Sequence, residues 1–344
     1  MPSFGIYTLA NDVVFDQLVA LINSIEVNVS PDIPVCIIPY DDRLDKVKQE
    51  IASRPNVTIF DNWESIQRWE DFAQEVWVTK AKFTKNKLSN SRWYGGHLQR
   101  KFVAFDGIFD KFVFYDADSL AMKPIDDIFE KLKTYDFVFD DWEHKKPNPV
   151  AALNISVIEK SGLFQEADIR PKLHCGSFWG SKQGFFDPNE LLRLRELLID
   201  KGEVKWINGN GWWDDSFLFN YMTLRIDASL FNFTLSSNPQ ERTGNCADAD
   251  PFVNIDNVLY NEEGLKPIHR LHYMNYSSKD FARLCQGEDV NIRYKDIFLY
   301  YRFLKQPDKI PTELKPQSWL DTSQRQIQSM GQKLKIGLNR KFKK

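Results

Sequence analysis

The stretch LQRKFVAFDGIFDKFVFYDADSLAMKPIDDIFE, residues 98–130, sets a helical run, an apolar strand and a pair of acidic side chains in immediate succession. Lys111-Phe112-Val113-Phe114-Tyr115 has the β-rich, unbroken apolar character of a buried strand, and it runs directly into Asp116-Ala117-Asp118. An Asp-x-Asp triplet by itself is common. At the end of a buried strand, with Pro124 and a helical segment, Ile125 to Leu132, soon after it, the triplet becomes a sharp signal. Two carboxylates one residue apart at a strand end can turn toward one point, and carboxylate oxygens are what a hard divalent cation takes as ligands. Such an ion is an efficient partner for a leaving group that accumulates charge on two phosphates.

Upstream of this stretch the chain reads as βαβαβ. Residues 4–9 (FGIYTL) form a short buried strand, and Phe15, Leu18, Val19, Ile22 and Ile25 then recur at helical spacing. Pro34 to Ile38 is a second strand ending at Asp41-Asp42. Residues 43–53 carry helix spacing, and Val57 to Phe60 is a third strand. Strands alternating with helices predict an α/β, doubly wound, mostly parallel sheet flanked by helices, which binds ligands at the carboxyl ends of its strands. That topology places Thr8, Ala10 and Asp41 at the mouth of a nucleotide site. Residues 97–109 read as helical, and Phe137-Val138-Phe139 is a further strand followed by Asp140-Asp141.

The chain has 344 residues, 42% hydrophobic and 27% charged, which is ordinary globular usage. We expect one large domain over 1–305, with a nucleotide-binding half (1–145) and an acceptor-binding half (146–305) rich in Trp, Asn and loops such as 208–211 (NGNG). A net charge of -3 gives no global basic field, so nucleic acid is not an expected partner. Cys36, Cys175, Cys246 and Cys285 are scattered without a CxxC pair, which fits a reducing cytoplasm better than a disulfide framework or zinc ribbon. No secretion signal is recognisable at the start, and no apolar run reaches the roughly 18 residues of a membrane span. From Gln306 prolines interrupt the chain, and residues 306–344 read as a tail. Its last fourteen residues carry six Lys or Arg among Leu334, Ile336, Leu338 and Phe342. Such a segment suits peripheral contact with an anionic membrane surface, each basic residue contributing about 1 kcal/mol, or a solvated tail.

Residues 98–130 resemble the metal-binding segment of glycogenin-like GT-A glycosyltransferases in strand, Asp-x-Asp and following helix. The resemblance implies a nucleotide-sugar donor, with a UDP-sugar as the first expectation, and a hydroxyl acceptor on a glycan, lipid or small molecule. It also implies that Asp116 contacts ribose and metal, that Asp118 ligates the metal, and that Lys101, about fifteen positions upstream, neutralises the diphosphate. Three looser matches follow. His174-Cys175-Gly176-Ser177-Phe178 stands where the family has an Asn-Ser-Gly turn near the sugar, with His in place of Asn. Trp213 to Asn220 is similar to an Asp-Gln-x-x-Leu-Asn stretch, which makes Asp215 the acid beside the transferred sugar, although Ser216 replaces the Gln. Asp214 and Asp215 also suit a helix N-terminus. His269 to Lys279 resembles the terminal motif, implying that His272 completes the metal site and Lys279 binds phosphate, one residue later than the family spacing. An imidazole among carboxylates favours Mn²⁺ over Mg²⁺.

Three other classes compete. A haloacid-dehalogenase-type phosphatase also uses an Asp in a strand-end Asp-x-Asp and paired acids on a later strand, as Asp140-Asp141 are. Here, however, about a hundred residues of sheet precede the motif, and Leu120 stands where that family has Thr or Val. A sugar nucleotidyltransferase would need a glycine-rich basic loop after the first strand, which Thr8 to Asp12 does not supply. A non-catalytic carbohydrate-binding protein would use exposed Trp without a spread of acids, His and Lys.

Overall fold

The computed structural model of the chain describes residues 3–83, 97–146, 153–207 and 214–316. The loop at 208–211, Trp213 and the basic stretch near the end of the tail lie outside these residues. A seven-stranded sheet runs through the molecule in the order β3-β2-β1-β4-β7-β6-β8. Its strands are β1 (Phe4–Ala10), β2 (Val35–Pro39), β3 (Val57–Ile59), β4 (Lys111–Asp116), β6 (Phe137–Phe139), β7 (Phe178–Lys182) and β8 (Leu230–Asn232). The pairings of β1 with β2 and β4, of β2 with β3, and of β6 with β8 are parallel; β7 alone runs against its neighbours β4 and β6. The α/β class and the mostly parallel, helix-flanked sheet expected from the sequence are therefore what is observed.

Alternation along β1 explains the layering. Ile6 and Ala10 face α1 (Phe15–Asn28), where Leu18, Leu21, Ile22 and Ile25 cover them. Tyr7 and Leu9 face the other side, beneath Trp69, Phe72 and Val76 of α3 (Trp63–Phe83). Between them α2 (Asp45–Ile51) crosses from β2 to β3, burying Val47. The 21-residue α3 had no counterpart in the sequence reading, although Ile66, Trp69, Ala73, Val76 and Trp77 carry the 3-4 spacing that marks it. Leu98 to Asp106, expected as ordinary helix, is wound as successive 3₁₀ turns and is buried from Gln99 to Phe105. Asp106 ties this run to α3 by accepting from Ser65 Oγ at 2.6 Å, Arg68 Nη2 at 2.8 Å and Trp69 Nε1 at 2.9 Å.

After β4 the chain turns into β5 (Ser119–Ala121) and α4 (Asp126–Lys131). Further on, α5 (Asp214–Arg225) leads to β8, and β9 (Phe252–Ile255), β10 (Val258–Asn261) and β11 (Lys266–Pro267) form a small separate sheet. The next strand, β12 (Arg270–His272), returns to pair antiparallel with β5, so that His272 stands opposite Ser119. Two closing helices, α6 (Ser278–Cys285) and α7 (Lys295–Arg302), hold that strand in place. Their Phe281, Leu284, Phe298 and Tyr301 share a core with Leu120 and Leu271. Residues Lys315–Pro316, at the start of the tail, pair with Glu288–Asp289. Among the described residues no helix is long and apolar enough to cross a membrane.

Candidate active site

Four distant segments converge at the carboxyl end of β4. The antiparallel register of β4 with β7 sets Tyr115 opposite Phe178, and the next residue back, Ser177, accepts from the Asp116 backbone N–H at 2.9 Å. The turn before β7 is thereby fixed against Asp116. The pairing of β5 with β12 does the same for Asp118, whose backbone carbonyl accepts from Tyr273 N at 2.9 Å. The result brings one carboxylate oxygen each of Asp116 and Asp118 and one ring nitrogen of His272 within 4.8 Å of one another. His272 Nε2 is 3.3 Å from Asp118 Oδ1, and the imidazole is almost completely enclosed. Two carboxylates and an imidazole at this separation fit the donor set of one borderline-hard divalent ion such as Mn²⁺.

Lys101 lies beneath this trio with 1% exposure. Its Nζ donates to Asp116 Oδ1 at 3.2 Å, to the Gly176 carbonyl at 3.1 Å and to Asp215 Oδ2 at 2.9 Å. Burial works against the ammonium charge, but the two carboxylates outweigh it and hold the Lys101 pKa above its ordinary value. Its three protons meet protein acceptors, so that the ammonium expected to face a diphosphate bridges Asp116 and Asp215. Burial pushes the Asp116 carboxyl up, with Lys101 opposing it, whereas His272 outweighs burial at Asp118 and pulls that carboxyl down. Arg270, 1% exposed, donates to Ser177 Oγ at 3.0 Å and also favours the ionised Asp118.

Beside the acids opens a cleft of about 450 Å³, whose lining includes Ala10, Asn11, Gln17, Tyr40, Arg43, Leu98, Asp116, Asp118, Tyr276 and Ser278. Ala10 thus borders this cleft. Thr8 does not: it lies on the α1 face of β1, is fully buried, and its hydroxyl has no partner. Thr8 and Ala10 share that face, and of the two only the last residue of the strand also borders the cleft. Asp41 stands behind the lining. It accepts from Asn11 Nδ2 at 2.9 Å and from Arg43 Nε at 3.0 Å. Burial would raise its carboxyl, but the hydrogen bonds from Arg43 and Asn11 hold it down at about 2. Lys279 is exposed and outside the lining, although its neighbour Ser278 belongs to it. A larger groove of about 780 Å³ runs along β8, past Tyr135, Phe231 and Asn238, and contains none of these site residues.

The remaining sequence candidates serve the scaffold. Asp140 is sealed in, with its Oδ2 2.7 Å from His269 Nδ1, and His269 Nε2 is 3.1 Å from Asp127. Asp141 accepts from the backbone N–H groups of Glu143 and Cys175, both at 2.9 Å. The paired acids that a phosphatase would direct at its substrate are thus engaged elsewhere. His174, expected near a sugar, is buried, stacks on Phe139 with ring centroids 4.0 Å apart, and has Nε2 3.0 Å from Thr223 Oγ1. Sequence reasoning missed Gln17, Tyr40 and Arg43. Only their positions just after the ends of β1 and β2, or one turn into the following helix, could have signalled them.

No protein-family model matches the sequence, and no curated protein matches it either. Several solved structures to which this chain is similar are glycosyltransferases. The apo structure of the bifunctional glycosyltransferase WbbM is similar over 88% of this chain at 12% identity and a TM-score of 0.48; this chain spans 50% of that one. The galactosyltransferase LgtC, in complex with donor and acceptor sugar analogues, is similar over 89% of this chain and 99% of its own, at 12% identity and a TM-score of 0.41. Core-mannan synthase A from Aspergillus fumigatus, in a Mn/GDP form, covers 65% of this chain and 70% of its own, at 8% identity and a TM-score of 0.38.

Two outcomes test this geometry. Lys101→Met keeps the bulk but strands two half-buried carboxylates, so urea denaturation will show a loss of about 3–5 kcal/mol; a loss within about 1 kcal/mol contradicts the role given to the ammonium. Burial holds His174 down at about 3 in the folded state, against an ordinary value of 6.5. The unfolded chain therefore takes up this proton first, and the stability His174 contributes is complete above pH 6.5 and lost as the pH falls toward 3. Unfolding free energies of His174→Leu will accordingly fall less steeply between pH 6 and 4, by about 1.4 kcal/mol per pH unit; parallel pH profiles for variant and wild type contradict the burial argument.

Proposed function

We propose that the protein is a metal-dependent glycosyltransferase that moves a sugar from a nucleotide-sugar, a UDP-sugar first among the candidates, to a hydroxyl on a glycan, lipid or small acceptor. The observation that carries this reading is the convergence of Asp116, Asp118 and His272 on one point beside a cleft of about 450 Å³. Asp116, Asp118 and His272 would hold Mn²⁺, which, when bound, neutralises charge building on a departing diphosphate. Around that point three carboxylates face one ammonium, and even with Arg270 nearby the pocket keeps surplus negative charge that a divalent cation balances.

Each protein group then has a share in the transfer. Lys101 is a positioning residue: a single buried ammonium locks Asp116 on β4 to Asp215 on α5, so that the metal-binding acid and the acid assigned to the sugar keep a constant spacing. Asp215 stands next to the transferred sugar in this reading, where a carboxylate stabilises the positive character that grows at the carbon losing its leaving group. Ala10 offers no side chain beyond Cβ, which leaves room for the nucleoside. Lys279, exposed near the rim, is free of the lining and is assigned to the diphosphate from outside. The engagement of Asp140 with His269 and of Asp141 with backbone amides argues against phosphomonoester chemistry. A cytoplasmic enzyme that touches an anionic membrane through its basic tail is consistent with the composition of that tail.

Turnover of a panel of nucleotide-sugars with and without Mn²⁺ tests the proposal. One or more donors will be hydrolysed or transferred only with the ion present, and Asp118→Ala will lower that rate at least about 100-fold. Release of orthophosphate from small phosphoesters with no turnover of any nucleotide-sugar would replace this function by that of a phosphatase.

A further inference from the structure

A polar pocket of about 450 Å³ lies outside the cleft and shares no lining residue with it. Its walls include Lys46, Gln49 and Glu50 of α2, Arg302 at the end of α7, and Gln306 and Lys309 of the turns that follow. The two lysines are exposed and come from opposite ends of the chain. Neither ammonium has a hydrogen bond or an ion pair with any described residue.

Arg302 gives the pocket a fixed direction. Its side chain is 11% exposed, its Nε donates to Asp16 Oδ1 at 2.7 Å, and its Cζ lies 5.4 and 4.8 Å from the ring centroids of Phe15 and Phe303. The guanidinium is thus held in place before any ligand arrives, while Nη1 and Nη2 make no hydrogen bond to any described residue. A planar fork with open N–H groups matches the oxygens of a phosphate. The surrounding acids are already engaged. Asp16 takes Arg302, Glu50 accepts from Arg54 Nε at 3.1 Å and Nη2 at 2.7 Å, and Asp12 accepts from the backbone N–H groups of Lys46 and Val47. Lys46 and Lys309 are left as wall cations with no counter-charge in contact.

We propose that this pocket binds a phosphomonoester group, with Arg302 donating to its oxygens and Lys46 and Lys309 balancing the dianion from α2 and from the turn beyond α7. The course of the chain favours a lipid headgroup over a small solute. Gln306 and Lys309 open the segment whose last fourteen residues carry six Lys or Arg, so the folded pocket and the basic end belong to one continuous stretch. Two contacts with one anionic surface reinforce each other. Ile310, next to Lys309, is 38% exposed and suits shallow insertion beside a headgroup. The start of α1 is common to both sites: Phe15 lines this pocket, and Val14 and Gln17 line the cleft. A headgroup held here therefore keeps the cleft close to the surface that carries it. None of this depends on the reaction assigned to the cleft.

Sedimentation of the full chain with phosphatidylcholine vesicles, with and without phosphatidic acid, tests the assignment, alongside titration with inorganic phosphate. The variants are Arg302→Lys, which keeps the charge and loses the fork, and a double variant, Lys46→Glu with Lys309→Glu. Wild type will bind the vesicles that contain phosphatidic acid and leave the others. With the basic tail intact, Arg302→Lys will bind them about fivefold more weakly and the double variant about tenfold or more. The double variant alters two exposed side chains and will keep the wild-type thermal midpoint, so its loss is not one of folding. Phosphate binding that both variants lose, with vesicle binding absent or equal for all three proteins, keeps the pocket and assigns it to a soluble phosphomonoester. A loss confined to the double variant reports surface charge alone and overturns the pocket. Variants that match wild type with both probes, or a wild type that binds neither, overturn it as well. Nucleotide-sugar turnover without vesicles will be the same for all three proteins, so failure here leaves the enzyme reading standing.

Discussion

A lysine ammonium with 1% exposure is stable in a protein interior only when counter-charges and acceptors replace the water it has lost, and Lys101 has all of them. Asp116, Asp215 and the Gly176 carbonyl supply its three hydrogen bonds. They come from β4, α5 and the turn before β7, so this one charge ties together elements separated by more than a hundred residues of chain. The 3₁₀ run that carries Lys101 is itself held by Asp106 against α3 and by Arg100, which donates to Glu70 and to the Pro39 carbonyl at the end of β2. Its anchorage reaches from the far side of the sheet to the site.

The same economy of buried charge governs the surroundings. Asp140, His269, Asp127 and Lys123 form a continuous chain of short contacts under α4. Arg270 lies between that chain and the turn at Ser177. These groups hold β12 against β5, and through that pairing they determine where His272 stands relative to Asp118. A rigid scaffold of this kind is what a site needs if its acidic groups are to remain close together despite their mutual repulsion.

Much of the fold was legible because the N-terminal half alternates clean apolar strands with periodic helices. The strand–acid–helix sequence around Asp116 and Asp118 was legible for the same reason, and His272 entered through a family resemblance rather than through any local pattern. The failures have physical causes. Thr8 and Ala10 differ by two residues on one strand and share a face, so strand position alone could not say that only the terminal one borders the cleft. For Lys101, sequence reports the spacing from the acids, not the Asp215 carboxylate folded over it from α5. His174 was set beside a sugar by motif position, whereas two aromatic rings, Phe139 and Phe219, take it into the core. Gln17 and Arg43 are single polar residues in amphipathic surroundings, and only the shape of the cleft distinguishes them from surface residues.

All of this turns on whether Asp116, Asp118 and His272 act as one ligand set. Anomalous diffraction at the manganese edge, from crystals grown with Mn²⁺ and a nucleoside diphosphate, addresses that directly. The account predicts one strong peak about 2.2 Å from an oxygen of each carboxylate and from a His272 ring nitrogen, with the diphosphate on its open side. A peak bound elsewhere, or no peak at saturating ion and nucleotide, would contradict it.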